Sequence, residues 1–198
     1  MLTSSQFGFR KKRSTNDAMV SFTEYIHSAE KGESVISIQV DFKKAFDLVD
    51  HEILLSKLKH YGIRGKELKL IESYLTNRKQ ITELFKKGVV YRSKERIILI
   101  GVPQGSILGV LFFLIFINDL PSSLKSIGIE LLAVIFADDT NIVIKGKNIL
   151  DKIFQVFSLF YDWCLANHIV INFEKKHVLL ILHLKYYTSI ASNLMISQ

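Results

Sequence analysis

Three acidic residues stand at the ends of runs that otherwise read as buried β-structure, and this arrangement constrains the chain more than any other feature. Val35-Ile36-Ser37-Ile38-Gln39-Val40 is β-branched with partial alternation, the pattern of a buried strand, and it delivers Asp41 at its end. Leu131 to Ala137 and Ile142 to Ile144 are apolar runs joined through Asp138-Asp139-Thr140-Asn141, residue types that favour a tight connection. That spacing predicts a hairpin with two acids at its tip. If the hairpin lies beside the first strand in one sheet, the carboxylates of Asp41, Asp138 and Asp139 converge. Two unit charges about 4 Å apart repel by roughly 4 kcal/mol at an effective dielectric of 20, so such a cluster needs a cation. Hard oxygen ligands favour Mg²⁺ or Mn²⁺, and two such ions about 4 Å apart suit the attacking and leaving oxygens of a phosphoryl transfer. Acids at strand ends and turns are also ordinary solvated residues, and the spacing alone leaves that reading open.

The remaining elements follow from periodicity and punctuation. Ala18, Phe22, Tyr25, Ile26 and Ala29 recur at helical spacing behind the capping candidates Ser14 to Asp17, with Gly32 as a stop signal. Asp50 is placed to cap a second helix carrying Leu54, Leu58 and Tyr61 and ending at Gly62, and Leu68, Ile71 and Leu75 mark a third. Short strands are expected at Gln80 to Leu84, Val89 to Tyr91 and Arg96 to Leu99, followed by a Gly-Val-Pro-Gln-Gly-Ser loop and an apolar helix from Ile107 to Ile117. Asn148 is placed to cap a helix carrying Ile149, Ile153, Val156 and Phe160, and late strands are expected at Ile169 to Asn172 and Val178 to Leu182.

Composition narrows the class. The chain has 198 residues, 48% of them apolar, too many for a largely disordered protein. Lysine and arginine outnumber acids 26 to 19, with clusters at Arg10 to Arg13, Arg78-Lys79, Lys86-Lys87 and Lys175-Lys176, which suits a polyphosphate partner as well as a merely soluble basic surface. Cys164 is the only cysteine, so there is no disulfide partner and no cysteine-based zinc site, and a reducing compartment is expected. The N-terminal residues lack the apolar core of a secretory signal, which together with the cysteine usage predicts an intracellular protein of cytoplasm or nucleus, not a secreted one. The uncharged stretch from Ile97 to Asn118 is long enough to raise a membrane span, but Gly101, Pro103, Gln104, Gly105 and Ser106 interrupt it. The apolar run from Ile107 would cover only about 16 Å as a helix, so a buried core helix and no membrane are expected.

Several blocks in order resemble the reverse transcriptases of jockey-like non-LTR retrotransposons. They are Gln6-Phe7-Gly8-Phe9-Arg10 with Arg13-Ser14-Thr15, then Asp41-Phe42-Lys43-Lys44-Ala45-Phe46-Asp47, then Gly101-Val102-Pro103-Gln104-Gly105-Ser106, then Phe136-Ala137-Asp138-Asp139. Tyr74 to Gln80 and Ile117 to Pro121 also match, and the likeness covers roughly residues 5 to 176. The resemblance implies RNA-templated DNA synthesis, with an RNA template, a DNA primer and dNTPs as partners and two Mg²⁺ or Mn²⁺ ions as cofactors.

Carried over by position, it makes Asp41 and Asp138 the principal metal ligands, with Asp139 completing the acidic cluster and the Phe42 carbonyl an extra ligand. Phe46 matches the bulky residue beneath the nucleotide sugar, where an aromatic face excludes a ribose 2′-hydroxyl. Without that context it would read as a core phenylalanine. Gln104 and Gly105 match the loop that lines the nucleotide pocket and touches the template, and Arg78 matches a contact to a template phosphate, with a solvated helix-end arginine as the plainer alternative. Lys175, three residues after Asn172, matches a lysine that protonates the departing pyrophosphate, although its neighbour Lys176 stands where a small polar residue is usual.

The implied fold class is α+β: a right-hand polymerase palm, a small antiparallel sheet backed by helices, with part of the fingers and with the thumb missing. The expected organisation is a partial reverse transcriptase domain over residues 1–184. Within it, 1–34 form a fingers-side helix, 35–46 palm, 47–106 a fingers-like insertion and 107–184 palm, with 185–198 an unmatched tail. Such a fragment is expected to be weak or inactive alone. The alternatives are a nucleic-acid-binding remnant without chemistry, and an intron-maturase-type reverse transcriptase. Phe46 and the Phe-Ala-Asp-Asp hairpin argue against an RNA polymerase, which more often carries Gly-Asp-Asp.

Overall fold

A computed structural model of the chain describes residues 2–173 and, by backbone course alone, 179–183. The described residues divide into two compact units, one of Lys44–Ile117 and the other of Leu2–Lys43 with those that follow Ile117.

The second unit is built on an antiparallel sheet of four strands: β1 (Ser34–Val40), β6 (Leu131–Phe136), β7 (Asp139–Gly146) and β8 (Leu179–His183), in the order β6-β7-β1-β8. β1 lies inside the sheet, and Val35, Ile36, Ser37, Ile38 and Val40 are all buried. Burial on both faces explains why its sequence alternates only partly. The more peripheral β6 does alternate, with Leu131, Ala133 and Ile135 buried.

Helix α1 (Thr15–His27) opens on a capping box between Ser14 and Asp17, as the sequence suggests. Its Ile26 packs with Val35 and Val143, rimmed by Phe22, Tyr25, Ala29 and Leu132. The helix ends at His27 with Ser28 as its C-cap, so Gly32 is not its stop but a positive-φ residue in the following turn. Helix α6 (Ile149–Ala166) buries Val156, Phe160, Trp163 and Cys164 along one stripe, and it packs on α5 (Leu120–Lys125), where the Trp163 indole N–H donates to Asp119 at 3.2 Å. Asn148 does not cap α6 with its side chain. It sits at φ 54°, whereas a side-chain cap needs extended backbone at that position. Of the late strands, Ile169 to Asn172 forms only a single bridge, Ile171 to Phe42, while the second becomes β8, antiparallel to β1.

The other unit contains α2 (His51–His60), α3 (Gly65–Leu75), two small two-stranded sheets and α4 (Ile107–Phe116). Asp50 caps α2 by accepting from the N–H groups of Glu52 and Ile53. The expected strand at Gln80 to Leu84 is divided: β2 (Arg78–Gln80) pairs with β5 (Arg96–Ile98), and β3 (Glu83–Lys86) pairs with β4 (Val89–Arg92). The β3–β4 turn is Lys87-Gly88, both at positive φ, the backbone a two-residue hairpin demands. Helix α4 carries no charge because Phe112, Phe113, Leu114 and Phe116 are buried, with α2 packed against it through a unit core that includes Leu54 and Leu58. By length and composition alone the stretch Ile107–Lys125 would pass for a membrane span; half of it is buried inside the protein.

Candidate active site

The register of the sheet decides where the acids go. β1 and β7 pair along their whole length, from Ser34 with Gly146 to Val40 with Thr140. The next residues outward are Asp41 on one strand and Asp139 on the other. Phe136 pairs with Asp139, so the β6–β7 connection is the two-residue turn Ala137-Asp138. Asp41, Asp138 and Asp139 therefore all stand at one end of the same sheet. The tip differs from the expected Asp-Asp-Thr-Asn connection, because Asp139 is already the first residue of β7 and only Asp138 is in the turn.

Asp41 is half-buried; its Oδ2 accepts from the side-chain amide of Asn172 at 2.7 Å, and its carbonyl accepts from the Asn172 backbone N–H at 2.9 Å. The same bridge uses the N–H of Lys43, which donates to the Val170 carbonyl at 2.8 Å. The carbonyl of Phe42, the residue between, takes no part in it. The Phe42 ring stacks on Phe160 of α6 at 6.1 Å between centroids, which anchors this stretch of chain.

The turn is buttressed from the N-terminal segment. Ala137 lies at φ 58°, a left-handed conformation that costs an alanine about 1–2 kcal/mol. It is also buried, so its N–H needs an acceptor, and the side-chain oxygen of Gln6 supplies one at 3.1 Å. No periodicity or spacing in the sequence links Gln6 or Asn172 to the acidic end, because both contacts join residues far apart in the chain.

Among the described residues, no group of three His, Cys, Asp or Glu side chains is gathered closely enough to cage a metal ion by itself. The donor set nevertheless suits Mg²⁺, which usually binds through one or two carboxylates and completes its octahedron with water and substrate phosphates. Carboxylates at one sheet end fit that mode and do not fit a closed all-protein site.

The remaining candidates, apart from one, lie in the unit Lys44–Ile117. Phe46 is half-buried with its ring 4.5 Å from that of Phe113, and its carbonyl accepts from the Val102 N–H at 2.8 Å. Val49 likewise accepts from Gly101 at 2.7 Å, so the segments around Phe46 and the Gly-Val-Pro-Gln-Gly-Ser loop run side by side. Gly101 is required there: it sits at φ +90°, and a Cβ would stand 2.7 Å from the Asp47 carbonyl oxygen. Gln104 donates its amide to Asp47 at 3.1 Å. Gly105 is also at positive φ but open to its surroundings, so conformation rather than crowding favours glycine. Arg78, Gln80, Asp47 and Gln104 line one open concavity of about 880 Å³. Lys175 and Lys176 lie outside the described residues.

An antiparallel sheet with Asp41, Asp138 and Asp139 at one end, backed by α1 and α6, has the architecture of a polymerase palm. The chain belongs to the reverse transcriptase (RNA-dependent DNA polymerase) family, whose model matches residues 1–191. It is 31% identical over 177 residues to the RNA-directed DNA polymerase from mobile element jockey of Drosophila funebris, and 30% over 178 residues to its counterpart in Drosophila melanogaster. In each case the match covers 86% of this chain and 19% of the relative, so the chain spans about a fifth of these curated proteins. The family type is therefore that of a non-LTR retrotransposon reverse transcriptase. Solved structures with the same fold include an apo telomerase from Candida tropicalis truncated from its C-terminal domain, with TM-score 0.63, 17% identity, and coverage of 90% of this chain and 36% of that one. Telomerase from Candida albicans in complex with a fragment of telomeric RNA matches with TM-score 0.61 and 16% identity, over 89% of this chain and 32% of that one.

Proposed function

We propose that this chain carries the catalytic carboxylates of an RNA-templated DNA polymerase and performs two-metal nucleotidyl transfer when the rest of the polymerase is present. The reading is supported above all by the β1–β7 register, in which the Val40–Thr140 pair brings Asp41 to the same sheet end as Asp138 and Asp139.

In this reading Asp41 and Asp138 are the principal ligands of divalent Mg²⁺ or Mn²⁺, with Asp139 and the Phe42 carbonyl completing the protein donors. Bound there, such ions would neutralise the developing charge of an in-line displacement and would ease transfer of the attacking hydroxyl's proton to solvent. The primer 3′-oxygen forms the new bond to the α-phosphorus of a dNTP as the bond to pyrophosphate breaks. Lys175 gives the departing pyrophosphate its proton. Phe46, held against Phe113, presents an aromatic face where a ribose 2′-hydroxyl would sit. Gln104 and Gly105 contact nucleotide and template, and Arg78 holds a template phosphate. The working partners are an RNA template, a DNA primer and dNTPs, in cytoplasm or nucleus. A segment covering this share of its relatives is weak or inactive on its own.

A second reading, a nucleic-acid-binding remnant without chemistry, draws on the net charge of +7 and on the lack of a three-acid cage among the described residues. Primer extension on an RNA template separates the two, using the chain alone and joined to the thumb of a relative, with Mg²⁺ or Mn²⁺. Extension by the joined protein that is abolished by Asp138→Asn supports the polymerase. Extension that survives the substitution removes the proposed role, and template binding with steep salt dependence but no extension supports the remnant.

A further inference from the structure

Gln6 is 1% exposed, and its position beside the acidic end is fixed by backbone pairing rather than by its own side chain. The segment around it runs parallel along the outer edge of β6: the Ile135 N–H donates to the Ser5 carbonyl at 2.9 Å, and the Phe7 N–H donates to the Ile135 carbonyl at 2.8 Å. From there the Gln6 Oε1 accepts two backbone N–H groups, Gly8 at 2.9 Å and Ala137 at 3.1 Å. Two donors facing one end of the amide assign the oxygen to that end. The Nε2 is left buried with no partner among the described residues, so the side chain is oriented by what its oxygen holds. Gly8 closes the arrangement, because a Cβ there would stand 2.5 Å from the Ala137 nitrogen and 3.0 Å from the Phe136 carbonyl carbon.

We propose that Gln6 is a positioning residue for the carboxylate of Asp138. Its oxygen pins the N–H of Ala137, the positive-φ residue that sets the direction of the turn, and Gly8 lets the N-terminal segment approach closely enough to do so. Asp138 is the next residue, so the conformation fixed at Ala137 aims its carboxylate. This rests on the reading of Asp138 as a metal ligand, and it adds to that site a support from the opposite end of the chain. Partners that orient metal ligands in this way typically change affinity by about 10–100-fold when removed.

The test is equilibrium binding of Mn²⁺ to the 198-residue chain, followed by the electron paramagnetic resonance of the free ion, with thermal unfolding measured beside it. Gln6→Met keeps the volume and removes the acceptor, and it is expected to weaken Mn²⁺ binding by about 10–100-fold without loss of the cooperative melt. Gln6→Glu keeps an oxygen for both N–H groups in either protonation state and is expected to bind within about threefold of the parent chain. A role in packing alone would favour methionine over glutamate in this buried place. If Gln6→Met does not fold, Gly8→Ala carries the test, since it displaces the turn while leaving the acceptor, and weakened binding is again expected. Unchanged Mn²⁺ affinity in the folded methionine variant, or equal loss in both Gln6 variants, overturns the inference alone. A parent chain that binds Mn²⁺ no better than Asp138→Asn overturns the metal site itself and the inference with it.

Discussion

Asn172 holds Asp41 twice, through its side-chain amide on the carboxylate at 2.7 Å and through its backbone N–H on the carbonyl at 2.9 Å. The main-chain bond ties the segment after α6 to the end of β1, and the side-chain bond selects one orientation of the carboxylate. Asn172→Ala removes only the second. Divalent-ion affinity is expected to fall by about 10–100-fold, as for other partners of ligating carboxylates, while the melting temperature moves little. Titration calorimetry with Mn²⁺ and a thermal melt on the same variant check both halves.

Phe46 is expected to govern sugar choice. In the chain joined to a relative's thumb, Phe46→Ala is expected to raise incorporation of rNTPs relative to dNTPs by about tenfold or more, the scale on which pocket contacts separate close analogues. Competition between the two nucleotides in single-turnover extension measures it, and unchanged discrimination would return Phe46 to the status of a core residue packed on Phe113.

Much of this could be read from the residues themselves, and what could not shares one cause. The capping box of Ser14 and Asp17 and the cap at Asp50 are local, so sequence order alone reveals them. β1 and the β6–β7 hairpin were visible as apolar runs. Asp-Asp-Thr-Asn has turn chemistry, yet the chain turns one residue earlier, at Ala137-Asp138. The alanine that takes this positive-φ conformation gives its N–H to Gln6, far away in sequence. Asn148 shows the same limit in reverse: its residue type suggests a cap, and its left-handed backbone prevents one. Strand-end spacing and the family resemblance both point to Asp41, Asp138 and Asp139, whereas Asn172 on Asp41 and Gln6 on the turn are tertiary contacts with no local signature.

Gly101→Ala is expected to destabilise the unit that carries the Gln104 loop. The φ of +90° disfavours any side chain, and the added methyl meets backbone at Asp47 rather than a side chain free to move. A cost of about 1–3 kcal/mol, the range for a residue forced into a sparsely populated conformation, should appear in urea denaturation.

Cys164 is buried on α6, and that burial pushes its thiol up to about 12. At pH 8 the reactive thiolate is then roughly one part in 10⁴ of the thiol in the folded chain. Reaction with a disulfide reagent at pH 8 is expected to be negligible in buffer and prompt in denaturant. The sign also fixes a pH dependence: the unfolded thiol ionises near its ordinary value of 9.0 while the folded one does not, so this contribution to stability is complete below about pH 9 and is lost as the pH rises toward 12. Titration of the denaturation midpoint between these limits measures it.

Crystals of the chain joined to a relative's thumb, grown with template, primer, dNTP and Mn²⁺, would show directly what the acidic sheet end holds. The expected anomalous difference map has manganese peaks within bonding distance of both Asp41 and Asp138 carboxylates. Manganese on the phosphates with neither carboxylate bound, or Asp41 bonded to Asn172 and turned away from an ion held by Asp138 alone, would contradict the assignment.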